Sequence, residues 1–227
     1  MMKKTLISMA CAAAMAAPAA QAELSANIGA TSNYVWRGVT QTSDGAAISG
    51  GIDYSHQSGL YVGTWASNID WGVGTSGYEW DVYGGFAGEF GDFGYDVGVI
   101  AYIYPTEAYD DSNFTELYAS GSYKFLTVGI NYTVDGDQPS DAAFSDGDYY
   151  LYASASFDLQ DGWGIGGTVG YYDFDTPDSG DDYSHFQLDV TKSAGDFGDF
   201  TFSVSQAEDS NLSSDDTLVF VSWSKSF

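Results

Sequence analysis

The sequence predicts an all-β fold, a transmembrane antiparallel up-and-down β-barrel of about twelve strands behind a cleaved signal peptide. Three observations carry that expectation: the pattern at the C-terminus, the pattern at the N-terminus, and the way the connections between alternating segments are sorted by length. In the last eleven residues, Val219, Val221, Trp223 and Phe227 share one face, while Ser222, Ser224 and Ser226 share the other. Side chains alternate across a strand, so this is one apolar and one small polar face. A final strand that ends on its own aromatic suits barrel closure, with the ring at a membrane interface. At the other end, Lys3 and Lys4 precede an apolar run from Leu6 to Ala17, and Ala20-Gln21-Ala22 is a small-x-small cleavage site. Residues 1–22 therefore read as a secretory signal peptide and 23–227 as the exported barrel.

Twelve alternating segments follow, at about 25–37, 47–56, 60–67, 78–90, 93–104, 114–125, 126–134, 148–158, 163–172, 183–192, 199–206 and 217–227. In the fourth, Tyr78, Trp80, Val82, Phe86 and Phe90 oppose Glu79, Asp81 and Tyr83. In the fifth, Phe93, Tyr95, Val97 and Val99 oppose Gly94, Asp96 and Gly98, and in the ninth Trp163, Ile165, Val169 and Tyr171 oppose three glycines and Thr168. This period-two pattern is the strand signal. Aromatics at many segment ends suit two girdles around an apolar band. The connections after even-numbered segments are short, whereas those after odd-numbered ones are longer. A soluble sandwich has no reason to sort its turns by parity. A barrel with short periplasmic turns and long extracellular loops does.

Composition narrows function. No run after Ala22 approaches the ~18 apolar residues of a membrane helix. Beyond the signal peptide only Arg37, Lys124, Lys192 and Lys225 are basic, against 32 acids. Nucleic acid is thereby excluded as a partner, because nothing could neutralise its phosphates, and cations are favoured. Cys11 is the sole cysteine and falls in the signal peptide, so the exported chain is expected to have no disulfide. More than half of the acids sit in the long connections, among them Asp135, Asp137, Asp141, Asp146, Asp173, Asp175, Asp178, Asp181 and Asp182. They read as a solvated loop surface, or as carboxylates for divalent cations bridging to lipopolysaccharide; the spacing is not that of an EF-hand.

Strand parity places Arg37, Asp53, Glu79, Asp81, Asp96, Glu116, Lys124, Asp148, His185 and Asp189 on inward faces as candidate pore-lining residues. A basic residue facing lipid near the midplane would cost roughly 2–4 kcal/mol, and the apolar parities avoid charge. Lys192 and Lys225 share the apolar parity but lie at strand ends, where they can snorkel. Two readings follow: inner charges paired into a plug with Arg37 bracing the wall, or a water-filled acidic path that prefers cations. Catalysis finds little support. His56 and His185 lie on well-separated strands, no G-x-S-x-G or H-E-x-x-H occurs, and no serine is singled out as a nucleophile.

Ser32-Asn-Tyr-Val-Trp-Arg37-Gly and Asp53-Tyr-Ser-His56-Gln-Ser-Gly59-Leu-Tyr-Val-Gly-Thr-Trp65 resemble the opening of the TorF-family porins of bacterial outer membranes, with further likeness at Thr115–Tyr118 and Ser122–Phe125. The resemblance implies an outer-membrane channel and no particular substrate. It makes Arg37, Gly38, Asp53, Tyr54, His56, Gly59 and Trp65 family-pattern positions. The expectation is a passive channel for small hydrophilic solutes, a narrow pore rather than a general large one given twelve strands, cation-preferring and without cofactor. Its partners would be outer-membrane lipid and lipopolysaccharide, the barrel-assembly machinery, and small solutes or cations. The alternative is a closed barrel acting through its acidic loops, and an enzyme centred on His185 comes third.

Overall fold

A computed structural model describes residues 23–176 and 181–227; the expected signal peptide and Asp178 lie outside these. The wall strands are β1 (Glu23–Thr31), β4 (Ala47–Ser55), β5 (Leu60–Ile69), β6 (Gly77–Phe90), β7 (Phe93–Ile103), β8 (Phe114–Tyr123), β9 (Leu126–Gly136), β10 (Tyr149–Asp158), β11 (Trp163–Asp173), β12 (Tyr183–Ser193), β13 (Asp199–Ala207) and β14 (Leu218–Ser226). They form a closed antiparallel barrel in sequence order. Closure comes from β1 against β14, in a register running from Asn27 opposite Ser226 to Thr31 opposite Ser222. Beyond that ladder, the Phe227 N–H donates to the Ala26 carbonyl at 2.9 Å. Closing the sheet removes the unpaired edges that an open one would expose.

The sides of the wall follow the period-two pattern. Val169, Leu188 and Val219 are more than half exposed on the outside, and Val221, Val97, Ile165 and Val190 are exposed on the same parity. Inside, Glu79, Asp81, Glu116 and Asp189 are buried. This is the inverse of a soluble core and suits an apolar solvent outside. One rim carries short turns at 56–59, 91–92, 124–125, 159–162 and 194–198, and the other carries the long loops. Phe90, Phe93, Tyr123, Phe125, Phe157, Trp163 and Phe227 are exposed along the short-turn rim.

The first expected strand needs correction. It stops at Thr31, and a small hairpin of β2 (Val35–Trp36) and β3 (Val39–Thr40) follows. The alternation through Arg37 is real, but it belongs to a hairpin that turns into the barrel. Polar side chains draw the backbone away from the wall: the Thr40 hydroxyl donates to Asn33 Oδ1 at 2.6 Å, and Asn33 Nδ2 donates to Asp44 Oδ1 at 2.8 Å. Local bonds of this kind compete with a ladder.

Candidate functional site

The hairpin builds the site. Val35 pairs with Thr40 and Trp36 with Val39, leaving Arg37 and Gly38 as a two-residue turn. Both have positive φ, 47° and 89°, as a primed turn requires. Gly38 is needed twice over, because an added Cβ would lie 2.6 Å from the Cβ of His185 on β12. Trp36 packs edge-on against Tyr102, Phe114 and Tyr172, and Tyr34 against Trp65. These partners come from opposite parts of the wall, so an aromatic core fills the barrel towards the long-loop rim.

At the hairpin tip Arg37 meets Glu116 of β8 through two parallel bonds, Nη1 to Oε1 and Nη2 to Oε2, both 2.7 Å. The Arg37 side chain is 8% exposed and that of Glu116 0%. Glu116 also accepts from Asn131 Nδ2 at 2.9 Å and from the Tyr102 hydroxyl at 3.2 Å. The guanidinium lies 4.2 Å from the Trp36 ring centroid and 4.3 Å from that of Tyr150. Burial of this pair is compensated on every side: bidentate geometry, further donors to the carboxylate, and ring faces for the cation. A β-bulge helps aim Glu116. Thr115 pairs with Asp135 but Glu116 with Thr133, so Val134 is the extra residue on β9.

The other expected inner residues separate into groups. Glu79 and Asp81 lie buried side by side on the inward parity of β6; the Tyr34 hydroxyl donates to Glu79 Oε1 at 3.1 Å, while Asp81 Oδ1 lacks a hydrogen-bond partner. His185 Nε2 is 2.8 Å from the Tyr150 hydroxyl, and the two rings stack. Asp189 accepts from the Ser203 hydroxyl at 2.6 Å and from Gln187 Nε2 at 3.0 Å. Asp53 and Asp96 are half-buried nearer the short-turn rim, where Tyr83 donates to Asp53 at 2.5 Å and Tyr61 to Asp96 at 2.6 Å.

Two placements differ from expectation. Lys124 is exposed in the tight turn after β8, with φ 55°, and its ammonium lies 5.1 Å over the Tyr123 ring. Parity counts it inward, but the turn ends the parity first. Asp148 is buried just before β10, where its carboxylate accepts the Ser145 N–H at 3.1 Å and the Asp175 N–H at 2.8 Å. It fastens two long loops together. Other loop acids act similarly: Asp182 accepts the Phe174 N–H and Asp137 accepts Asn113 Nδ2. At the C-terminus Val219 and Val221 face outward, and Trp223 Nε1 donates to the Phe197 carbonyl at 2.7 Å.

Strand parity gives Tyr83 an inner face but singles out no set of inward tyrosines. Tyr61 lies opposite Gly85, Tyr83 opposite Gly63, Tyr118 opposite Gly98 and Tyr152 opposite Gly129. At each glycine an added Cβ would run into the facing ring. Each ring therefore leans over the neighbouring backbone and lies along the wall. The signal exists in the sequence as glycine-rich inner faces, but the pairing that matches ring to glycine does not. Near the long-loop mouth, a cavity of about 330 Å³ opens between the hairpin, at Gly38 and Asp44, and the last loop, at Asn211, Ser214 and Asp216.

A family model described as "Bacterial protein of unknown function (Gcw_chp)" matches residues 15–213. No curated protein matches the chain. Among solved structures, the KdgM porin aligns with a TM-score of 0.59 at 10% identity, covering 89% of this chain and 98% of that one. A KdgM porin in complex with disordered oligogalacturonate aligns at 0.57 and 9%, covering 90% and 97%. The COG4313 outer membrane channel from Pseudomonas putida F1 gives 0.55 and 12%, covering 93% and 97%. At such identities the likeness is one of fold.

Proposed function

As the chain belongs to the Gcw_chp family, whose description leaves function open, we propose one from the geometry: an outer-membrane channel for small hydrophilic solutes, selective for cations. The observation that carries this reading is the charge arrangement inside an apolar-coated closed barrel. Asp53, Asp96 and Asp189 face inward, while the one ion pair among the described residues consumes Arg37. The three lysines among the described residues, Lys124, Lys192 and Lys225, lie over Tyr123, Trp163 and Phe227 at the short-turn rim. An inner wall with unneutralised carboxylates attracts cations and repels anions. The fold shared with known outer-membrane channels supports the reading, as does the resemblance to TorF-family porins. A KdgM porin of similar fold is found in complex with oligogalacturonate, a different class of solute.

In this reading residues 1–22 direct export and are removed, the barrel-assembly machinery inserts the chain, and the long loops face lipopolysaccharide. The hairpin is then the constriction, with the cavity beside Gly38 as its outer approach. One observation favours a second reading, a closed scaffold acting through its loops: the buried aromatic core around Trp36 fills the long-loop half.

Single-channel conductance of the refolded protein in a planar bilayer, under a salt gradient, decides between them. Stable steps with a cation-selective reversal potential are expected, and Asp96→Lys should move that potential towards zero. A folded barrel that stays silent would leave only the scaffold.

A further inference from the structure

The inner tyrosines run down the wall in groups, from a seated cation towards the short-turn rim. Arg37 lies over Tyr150, and Tyr150 stacks on Tyr152 with centroids 5.7 Å apart at 19°. Further along the wall the Tyr118 hydroxyl meets that of Tyr61, Tyr61 donates to Asp96, and Tyr83 donates to Asp53. Each ring of the lower wall stands against a glycine of the adjacent strand, on the inward parity, and keeps part of its surface exposed. We propose that this wall is a binding track for organic cations carrying ammonium or guanidinium groups, with Tyr61, Tyr83, Tyr118 and Tyr152 as platforms and Asp53 and Asp96 as charge partners. The proposal rests on the channel reading and adds to it the solute class and its site.

Three observations favour this class over others. The upper end of the same wall already holds a planar cation between aromatic faces and a carboxylate, in the form of Arg37 on Tyr150 with Glu116. The lower carboxylates have no basic partner among the described residues. Each also has one oxygen occupied by a tyrosine hydroxyl, which fixes its position while leaving its charge in place. Aromatic faces attract cations, most strongly where water is partly excluded. An anionic solute would meet only repulsion, and a small inorganic cation gains little from a ring face that an ammonium group can share. Several modest sites in series also allow release, as passage requires.

The test is a calorimetric titration of 1,4-diaminobutane into the refolded full chain in detergent micelles. Saturable binding is expected, weakened about tenfold in Tyr61→Leu/Tyr118→Leu through loss of two ring faces. Tyr61→Phe/Tyr118→Phe keeps the faces and should retain binding. Tyr95→Leu removes a ring that covers Gly88 on the outer surface and should change nothing. Should the leucine variant fail to fold, the isosteric Asp53→Asn/Asp96→Asn variant replaces it, with the same loss expected. Absence of saturable binding by the folded wild type would overturn the proposal. So would binding that Tyr61→Leu/Tyr118→Leu and Asp53→Asn/Asp96→Asn leave unchanged, or equal binding of maltose at the same residues. Binding in micelles needs no conduction, so a silent bilayer with intact diamine binding would sink the channel reading alone.

Discussion

Arg37 and Glu116 lie 79 residues apart in the chain and meet through two 2.7 Å hydrogen bonds at the centre of the barrel's filled half. The contact joins the tip of the inward hairpin to the wall. Each partner justifies the other's burial. An arginine keeps its charge at any ordinary pH, so without Glu116 it would be a stranded cation among aromatic rings.

Removing one partner should therefore cost far more than removing both. Arg37→Leu or Glu116→Leu is expected to destabilise the barrel by roughly 3–5 kcal/mol, since each leaves an uncompensated buried charge. The double variant should recover most of that loss. Thermal unfolding by circular dichroism of the three proteins in micelles, read as a double-mutant cycle, measures the coupling. Additive losses would show that the pair is not coupled.

Trp36 is the hairpin's main apolar anchor, with Tyr102, Phe114, Phe144 and Tyr172 around it. Trp36→Ala should cost about 3–5 kcal/mol. The wall ladders do not depend on Trp36, so the barrel should still form. Bilayer recording should then show larger or noisier conductance than wild type, because the constriction has lost its packing. Unchanged conductance would place the narrowest point elsewhere.

The barrel was legible because its exterior obeys one rule. Val219, Val221 and Trp223, like Val97 and Val99, alternate against small or polar residues, and period two survives without any knowledge of partners. The hairpin obeys the same rule and so passed for wall. The parity that turns Arg37 inward puts Tyr34 and Trp36 on the opposite, lipid-facing side, yet they face an aromatic core that exists only because the barrel closes around it. The bonds of Asn33 to Thr40 and Asp44 draw the chain from the wall, and the positive φ of Arg37 and Gly38 reverses it in a turn whose sequence signal is a single glycine. The inward placement of Glu116 could be read from parity. Its partner could not, since that depends on which loop folds inside. The match of tyrosine to glycine across strands likewise needs a register that one sequence does not supply.

Asp148 offers a pH test outside the spanning strands. Burial pushes its carboxyl above the ordinary aspartate range, against the lowering effect of the N–H groups it accepts. A raised folded pKa means that the folded state binds its proton more tightly than the unfolded chain. Its contribution is fully present below the unfolded aspartate pKa of about 3.9 and is lost as pH rises through the folded value. Relative to Asp148→Asn, the wild type should therefore be favoured most at acid pH and lose that advantage as pH rises. Unfolding midpoints of both proteins from pH 3 upward (roughly the span of carboxyl titration) would show this as a difference that declines with pH. A difference that does not change with pH would mean that Asp148 does not contribute to the pH dependence.

Gly98 tests whether the tyrosines lie along the wall because glycines let them. Tyr118 stands directly across from Gly98, and a Cβ there would collide with its hydroxyl and ring and with the Gly84 carbonyl of the other neighbouring strand. Gly121, on the next strand, would meet nothing within 4 Å. Gly98→Val should cost about 1–3 kcal/mol by overpacking and swing the Tyr118 ring away from the wall into the lumen. The same ring would then narrow the path, so single-channel conductance should fall as well as stability. Gly121→Ala should alter neither by much, which separates crowding from any general effect of filling a strand glycine. If Gly98→Val lowers stability but leaves conductance at the wild-type level, the ring does not border the conducting path. The lower wall would then be packed structure rather than a lining, and the platforms assigned to Tyr61 and Tyr118 would go with it.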